Sequence, residues 1–231
     1  MDCYNDAIDY IESEEKTDTS FIKVFTNSKN LVISFTGNAH TGFNRKTSLM
    51  DLKYNKQYDI DVLYMRDYFG WYLNSMQNIG KKIEDTIAFL NDIFKSYDKV
   101  VCTGSSAGGY ASCLFGSLCN ADSVIAFVPQ TNLDYIVTNT KNRLAYKNLC
   151  QKSEMSYWSK YSKIDSVLNS NVSYYFKFNN PSWRKIADQK QDEIFFILHD
   201  ENIHFPSSIR NHPNVSVCDD FFDTLDKTLG I

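Results

Sequence analysis

Short apolar runs alternate with amphipathic stretches along most of this chain. FIKVF (21–25) and LVISF (31–35) flank the polar turn TNSKN, which predicts a hairpin or two adjacent strands. IDVLYM (60–65), KVVCTG (99–104), SVIAFV (123–128), VSYYFKF (172–178) and EIFFIL (193–198) read as further strands, and a short last one is expected near Val215–Cys218. Ile83, Ile87, Leu90 and Phe94 recur at helical spacing within Lys81–Lys95, so that segment is an amphipathic helix. AGGYASCLFGSLC (107–119), SWRKIADQKQ (182–191) and Phe221–Leu229 are the other helical segments. Residues 1–20 are acidic and polar, a surface segment or short helix. Residues 140–170 scatter Tyr and Trp among Lys and Ser, as helices or a cap between strands do. Strands alternating with helices imply a mostly parallel central sheet covered by helices on both faces. The expected organisation is one α/β domain over 1–231, with a small cap segment at about 135–170.

Composition narrows the function classes. At 231 residues, 43% hydrophobic and 23% charged, the chain is globular and of single-domain size. A net charge of -4 argues against a nucleic-acid partner, because neutralising phosphates takes clustered Lys and Arg. The opening MDCYNDAIDY has neither a basic nor a long apolar stretch, so no secretory signal is expected. No apolar run reaches the roughly 20 residues of a membrane-spanning helix. The six cysteines form no CxxC pair and none stands near a His at zinc spacing. The expectation is a reduced, cytoplasmic protein without a structural metal.

The strongest chemical signal is VVCTGSSAGGYAS (100–112). Gly104-Ser105-Ser106-Ala107-Gly108 is a GxSxG pattern with a further Gly109, preceded by an apolar strand and followed by a helix pattern. That context suits a nucleophile elbow. The strand turns sharply into the helix, the Ser106 hydroxyl stands at the sheet edge, and the flanking glycines remove Cβ atoms that would collide. The Ala107 N–H, at the helix start, is a first oxyanion donor. A second is expected from the loop after LVISF, where Gly37 allows close approach and the Asn38 N–H faces the substrate; the alternative is a plain strand-ending turn. His40 shares that loop.

A serine nucleophile needs a base. Of His40, His199, His204 and His212, His204 in DENIHFPSS is favoured on reach and chain order, with the base expected after the final core strand and His212 in reserve. The orienting acid is less legible. After VSYYFKF comes Asn179-Asn180-Pro181-Ser182, with no carboxylate. Asp188 lies in the next helical stretch, Asp134 follows another strand, and Asp200 precedes His204 closely; Asp200 is preferred. Asp67, Trp71 and Tyr72 follow the strand at 60–65 and would line an acceptor pocket, or anchor a loop in the core. No GxxxxGK[ST] or GxGxxG follows a strand, so no tightly bound nucleotide cofactor is expected.

These residues resemble bacterial α/β-hydrolase-like proteins of surface and capsular polysaccharide loci, including capsule O-acetyltransferases. The similar stretches are LVISFTG (31–37), RDYFGWYLNS (66–75), GSSAGGYAS (104–112), AFVPQTNLD (126–134) and IHFPSS (203–208). The resemblance implies an α/β-hydrolase-like fold, Ser106 as nucleophile and His204 as base. It also points to Gln130, in the PQT element, as a substrate-side residue. The activity implied is acyl transfer to or from a glycan or a small acyl ester, with acetyl-CoA a candidate donor. A carboxylesterase and a catalytically impaired binding descendant are the alternatives, the latter because the chain departs from the group's pattern at Asn179–Trp183.

Overall fold

The computed structural model describes residues 3–37, 42–67, 71–73, 76, 78–139, 155–177 and 201–230. Helix α1 (Tyr4–Glu15) precedes β1 (Phe21–Val24) and β2 (Asn30–Phe35). Then come α2 (Lys46–Met50), continued by a π-helical turn (Asp51–Asn55), β3 (Asp61–Met65), α3 (Ile83–Phe94), β4 (Lys99–Ser105) and α4 (Ala107–Leu118). β5 (Ser123–Phe127), α5 (Leu133–Asn139), α6 (Met155–Tyr161), a 3-10 turn (Ile164–Ser166) and β6 (Ser173–Lys177) follow. The chain ends with α7 (Glu201–His204), α8 (Ser207–Arg210), β7 (Val215–Val217) and α9 (Phe221–Leu229). The expected strand 193–198, the helix at 182–191 and residues 140–154 lie outside the described residues.

The seven strands form one sheet in the order β1-β3-β2-β4-β5-β6-β7, parallel except for β1 against β3. β1 and β2 are therefore neither a hairpin nor neighbours, which corrects the expectation for FIKVF and LVISF. β3 lies between them, with Val62 level with Val24 on one side and Val32 on the other. The turn TNSKN does reverse the chain, through Asn27 at φ 66°, but strand pairing is settled 35 residues later.

Both faces are covered. One core joins Leu31, Ile33, Phe35 and Cys102 of the sheet to Leu90 of α3 and to Tyr110, Leu114 and Phe115 of α4. The other joins Val32, Val62, Val101 and Ile125 to Ile11 of α1, Leu49 of α2 and Leu225 of α9. Period-two alternation along each strand divides these residues between the two faces. Helix α1 is tied down by Arg66, which follows β3 and is 1% exposed. Its guanidinium donates to the carbonyls of Thr17 (2.6 Å), Thr19 (2.8 Å), Glu15 (3.2 Å) and Glu14 (3.3 Å). These include carbonyls that a helix C-terminus leaves without intrahelical donors. Among the described residues no helix is long and apolar enough to cross a membrane, and the five described cysteines are free.

Candidate active site

β4 runs into α4 through one residue. Ser106 has φ 58° and ψ -118°, a conformation that an L-residue adopts only when its surroundings impose it. Three backbone hydrogen bonds do so. The Ser106 N–H donates to the Phe127 carbonyl (2.9 Å), and the Ser106 carbonyl accepts from Tyr110 N (2.9 Å) and Gln130 N (3.2 Å). The glycines of the motif are explained by what a Cβ would strike. At Gly104 it would lie 2.2 Å from the Gly108 carbonyl oxygen, at Gly108 2.2 Å from the Phe35 carbonyl oxygen, and at Gly109 2.9 Å from Pro129 Cα. All three obstacles are backbone. From Val100 to Ser117 every residue is buried except Ser105 and Ser106, so the turn opens the interior strand to solvent at these two positions.

Two of the three residues expected around an oxyanion, Ala107 and Gly37, follow the ends of the paired strands β4 and β2. Ala107 is fully buried and begins α4, where first-turn N–H groups lack intrahelical acceptors. Gly37 is buried at the end of β2. Its predecessor Thr36 donates its N–H to the Met65 carbonyl (2.9 Å). The Tyr72 hydroxyl lies 2.8 Å from the Thr36 carbonyl oxygen and 3.1 Å from that of Met65. Burial raises the Tyr72 phenol well above its ordinary value, reinforced by the Asp67 charge, so it stays a donor to these carbonyls. Asn38 and His40 lie outside the described residues.

Backbone strain gathers along the same edge. Trp71 (φ 54°), Tyr72 (φ 61°), Ser106 and Val128 (φ 42°) all have positive φ, which is unusual for aromatic or β-branched residues. Each is held by hydrogen bonds. Trp71 Nε1 donates to Gln130 Oε1 (2.6 Å), Tyr72 N to Asp67 Oδ2 (2.8 Å), and Val128 N to the Lys177 carbonyl (2.9 Å). Trp71, Tyr72 and Gln130 are 1%, 1% and 3% exposed. The first two are core anchors, and the Gln130 amide oxygen faces the Trp71 indole. Of the two fates expected for Trp71 and Tyr72, the loop anchor in the core describes their burial, and the Trp71 Nε1, Tyr72 hydroxyl and Gln130 Oε1 each have a protein partner. Asp67, half-buried, receives the Tyr72 N–H.

Of His204 the structure describes the backbone, in α7. The carbonyl of the preceding Ile203 accepts from Thr131 N (2.9 Å), Thr131 Oγ1 (2.8 Å) and Asn132 N (3.2 Å). Gln130, next to Thr131, donates its N–H to Ser106. The chain entering His204 is thus pinned one residue from the segment that holds the elbow. His204 lies in α7, between β6 and β7 in chain order; the strand at 193–198 that it is expected to follow lies outside the described residues. His212 sits at the opposite edge of the sheet, its ring edge-on to Tyr174 (6.3 Å) and its Nδ1 accepting from Asn214 N (3.3 Å). Asp134 in α5 accepts from Trp158 Nε1 (2.8 Å). Asp200, Asp188 and His199 lie outside the described residues.

One residue at this edge carried no sequence signal. Arg45, at φ 63° before α2, stacks its guanidinium 3.7 Å from the Phe127 ring centroid and 5.1 Å from that of Phe221. Its Nη2 donates to Ser105 Oγ (3.3 Å), while Nε is buried without a partner. Burial lowers this guanidinium to about 10, so it remains a cation at neutral pH. A single Arg in the polar stretch TGFNRK reads as a solvated surface residue.

No protein-family model matches the chain, and no curated protein matches it in sequence. Solved structures match in shape. MPT51 of Mycobacterium tuberculosis superposes with a TM-score of 0.54 at 14% identity, covering 91% of this chain and 89% of that one. A capsule O-acetyltransferase of Neisseria meningitidis serogroup A gives 0.50 at 14% identity, covering 91% and 87%. Esterase B of Lactobacillus rhamnosis gives 0.50 at 11% identity, covering 93% and 81%. The chain spans 66% of an inhibited esterase B chain and 42% of a chain in the Gap123 complex of Streptococcus agalactiae. At these identities the likeness is one of fold. With the strand order above, the chain has the α/β-hydrolase fold.

Proposed function

We propose that this protein transfers acyl groups through a covalent acyl-serine, acting in O-acetylation or deacetylation of a glycan. The observation that carries the reading is the Ser106 turn: a strained, hydrogen-bonded corner at a helix N-terminus, open to solvent in an otherwise buried segment. Ser106 Oγ attacks the carbonyl carbon of an ester or thioester, for which acetyl-CoA is a fitting donor, while His204 takes the hydroxyl proton. The oxyanion is received by the N–H groups of Ala107 and Asn38, with Gly37 giving close backbone access. Collapse of the intermediate expels the alcohol or thiol, which leaves with the proton from His204. A sugar hydroxyl, or water, then gives its proton to His204, attacks the acyl-serine and takes the acyl group, and Ser106 recovers its proton. Asp200 is assigned the orientation of the imidazole. The fold's esterase and O-acetyltransferase neighbours support this chemistry in kind.

The test is labelling by a fluorophosphonate probe alongside turnover of an acetyl ester. The parent chain is expected to label and turn over; Ser106→Ala should lose both, and His204→Ala should lose turnover by at least 10³-fold. Labelling that persists in Ser106→Ala would overturn the assignment. Mass spectrometry of glycans incubated with acetyl-CoA, set against release of acetate from acetylated glycans, separates transferase from hydrolase.

A further inference from the structure

Arg45 is a built feature of this edge that the reaction above does not use. The segment delivering it is fixed on several sides. Phe43 N donates to Glu15 Oε1 (2.7 Å), Asn44 N to Thr36 Oγ1 (3.2 Å), and the Asn44 carbonyl accepts from Ser34 Oγ (2.9 Å). The left-handed backbone at Arg45 then turns its side chain onto the sheet, at a conformational cost that only strong local restraint sustains. Phe127 covers one face of the guanidinium. A planar cation with a covered face binds through its edge, where its N–H groups form the fork that suits a carboxylate. Of that edge, one N–H reaches Ser105, and among the described residues no carboxylate pairs with the group. A cation so desolvated without a counter-ion is unfavourable unless an anion arrives to complete it.

Position names the anion. Ser105 and Ser106 are the two accessible residues of their segment, and Arg45 reaches the first of them. With a 3.3 Å contact to the Ser105 hydroxyl and consecutive Cα atoms 3.8 Å apart, its Nη2 stands within about 10 Å of the Ser106 Cα. That span suits a charge on the sugar ring being acylated or on the acyl group itself. The long arm of a coenzyme thioester carries its phosphates beyond that reach.

We propose that Arg45 is a specificity-determining residue that binds a carboxylate of the substrate, on an acidic sugar or on a dicarboxylic acyl group, through the guanidinium edge beside Ser105. The inference rests on Ser106 as nucleophile for its catalytic meaning, and its test is arranged to stand apart. Two pairs of esters are compared: acetylated glucuronate with acetylated glucose, and a p-nitrophenyl monosuccinate with p-nitrophenyl acetate. The parent should prefer the acidic member of at least one pair, and which pair identifies the source of the carboxylate. Arg45→Met, which keeps the stem packed on Phe127, should lower that kcat/KM ratio by about 10- to 100-fold, the range of a charge-assisted hydrogen bond. Arg45→Lys should fall between, since lysine keeps the charge and loses the fork. Thermal stabilisation by glucuronate and by succinate, against glucose, reads binding without turnover. The parent should be stabilised by one acid, and the shift should vanish in Arg45→Met or, if that variant does not fold, shrink in Arg45→Lys. If Ser106 labelling fails while the acid-dependent shift follows Arg45, the catalytic reading falls and the carboxylate site stands. Ratios that do not change in the variants, or the absence of any acid-dependent shift in the parent, would overturn the site.

Discussion

Replacing Gly108 with alanine sets two effects of opposite sign against each other. In an open helix the change gains about 1 kcal/mol, because glycine is the poorer helix former. In α4 the new Cβ would lie 2.2 Å from the Phe35 carbonyl oxygen, 2.8 Å from its carbon and 2.9 Å from the Thr36 carbonyl carbon. These are backbone atoms at the end of β2, and none can rotate aside. Relief to a contact of roughly 3.5 Å requires α4 and β2 to separate by about 1 Å, within a core packed at crystal density. Overpacking that side chains can absorb costs about 1–3 kcal/mol. With backbone on both sides the cost rises above that upper end, to about 4 kcal/mol, so a net loss of about 3 kcal/mol is expected after the helix gain. In a domain of this size that lowers Tm by roughly 6–12 °C. Gly116→Ala is the internal comparison: its Cβ meets the Val124 Cγ2 methyl at 2.5 Å, a side-chain end that can turn, and about 1–2 kcal/mol is expected. Urea unfolding followed by circular dichroism and fluorescence, with m-values, measures both. The same 1 Å opening separates the Ser106 turn from Gly37, so turnover of folded Gly108→Ala should drop about 10²-fold. A Gly108→Ala midpoint at or above the parent's would show that α4 does not rest on the β2 carbonyls and would undo the account of the elbow.

Arg66→Met keeps the bulk under α1 but removes the donors to four carbonyls; a loss of about 3 kcal/mol is expected, with limited proteolysis cutting first around residues 16–20. Trp71→Phe leaves the buried Gln130 amide oxygen without its indole donor; urea unfolding should show a loss of about 2 kcal/mol, and an unchanged midpoint would discount that bond. Burial raises the Cys102 and Cys113 thiols and lifts Cys119 to about 12. Unfolded thiols lose protons from about pH 8.5 while these folded ones keep them, so their contribution is intact below that pH and falls as pH rises. One unit above, the loss is about 1.4 kcal/mol per thiol, and urea midpoints that stay flat between pH 8 and pH 9.5 would contradict it.

The elbow was legible because its demands are local and steric. Three glycines within six residues each face backbone, and no other residue type serves, so the pattern in the chain is the geometry itself. The strands at 31–35, 60–65, 99–104 and 123–128 were legible for a similar reason, since each buries both its faces over most of its length and must be apolar; β6 instead alternates, burying Tyr174 and Phe176. What was misread or left open depended on partners distant in the chain. The turn TNSKN has the residues of a hairpin, and nothing in it reveals that β3 will take the place beside β1. Trp71, Tyr72 and Gln130 are types that bind sugars on a surface and carry hydrogen bonds in a core. The choice between those fates rests on a contact spanning 59 residues, from Trp71 to Gln130. Arg45 is the extreme case: its meaning lies in Ser105, Phe127 and Phe221, none nearer than 60 positions away.

The strained residues at the sheet edge form a connected set. Trp71 is bonded to Gln130, Gln130 to Ser106, and the neighbouring Thr131 to Ile203. Two consecutive residues after β5 thus hold both the turn that presents the hydroxyl and the chain that leads into His204. A shift of β5 carries both anchors together, which preserves their separation where a shift of either alone would not. Catalysis by proton transfer needs that separation kept to a fraction of an ångström, and side-chain packing alone tolerates more. The cost of positive φ at Trp71, Tyr72, Ser106 and Val128 is of order 1–3 kcal/mol each, too large to persist at one edge unless the hydrogen bonds it permits are worth at least as much. The strain and the Gln130–Thr131 bridge are therefore two aspects of one arrangement, and removing a hydrogen bond that sustains the strain, as Trp71→Phe does, should loosen the bridge before it unfolds the sheet.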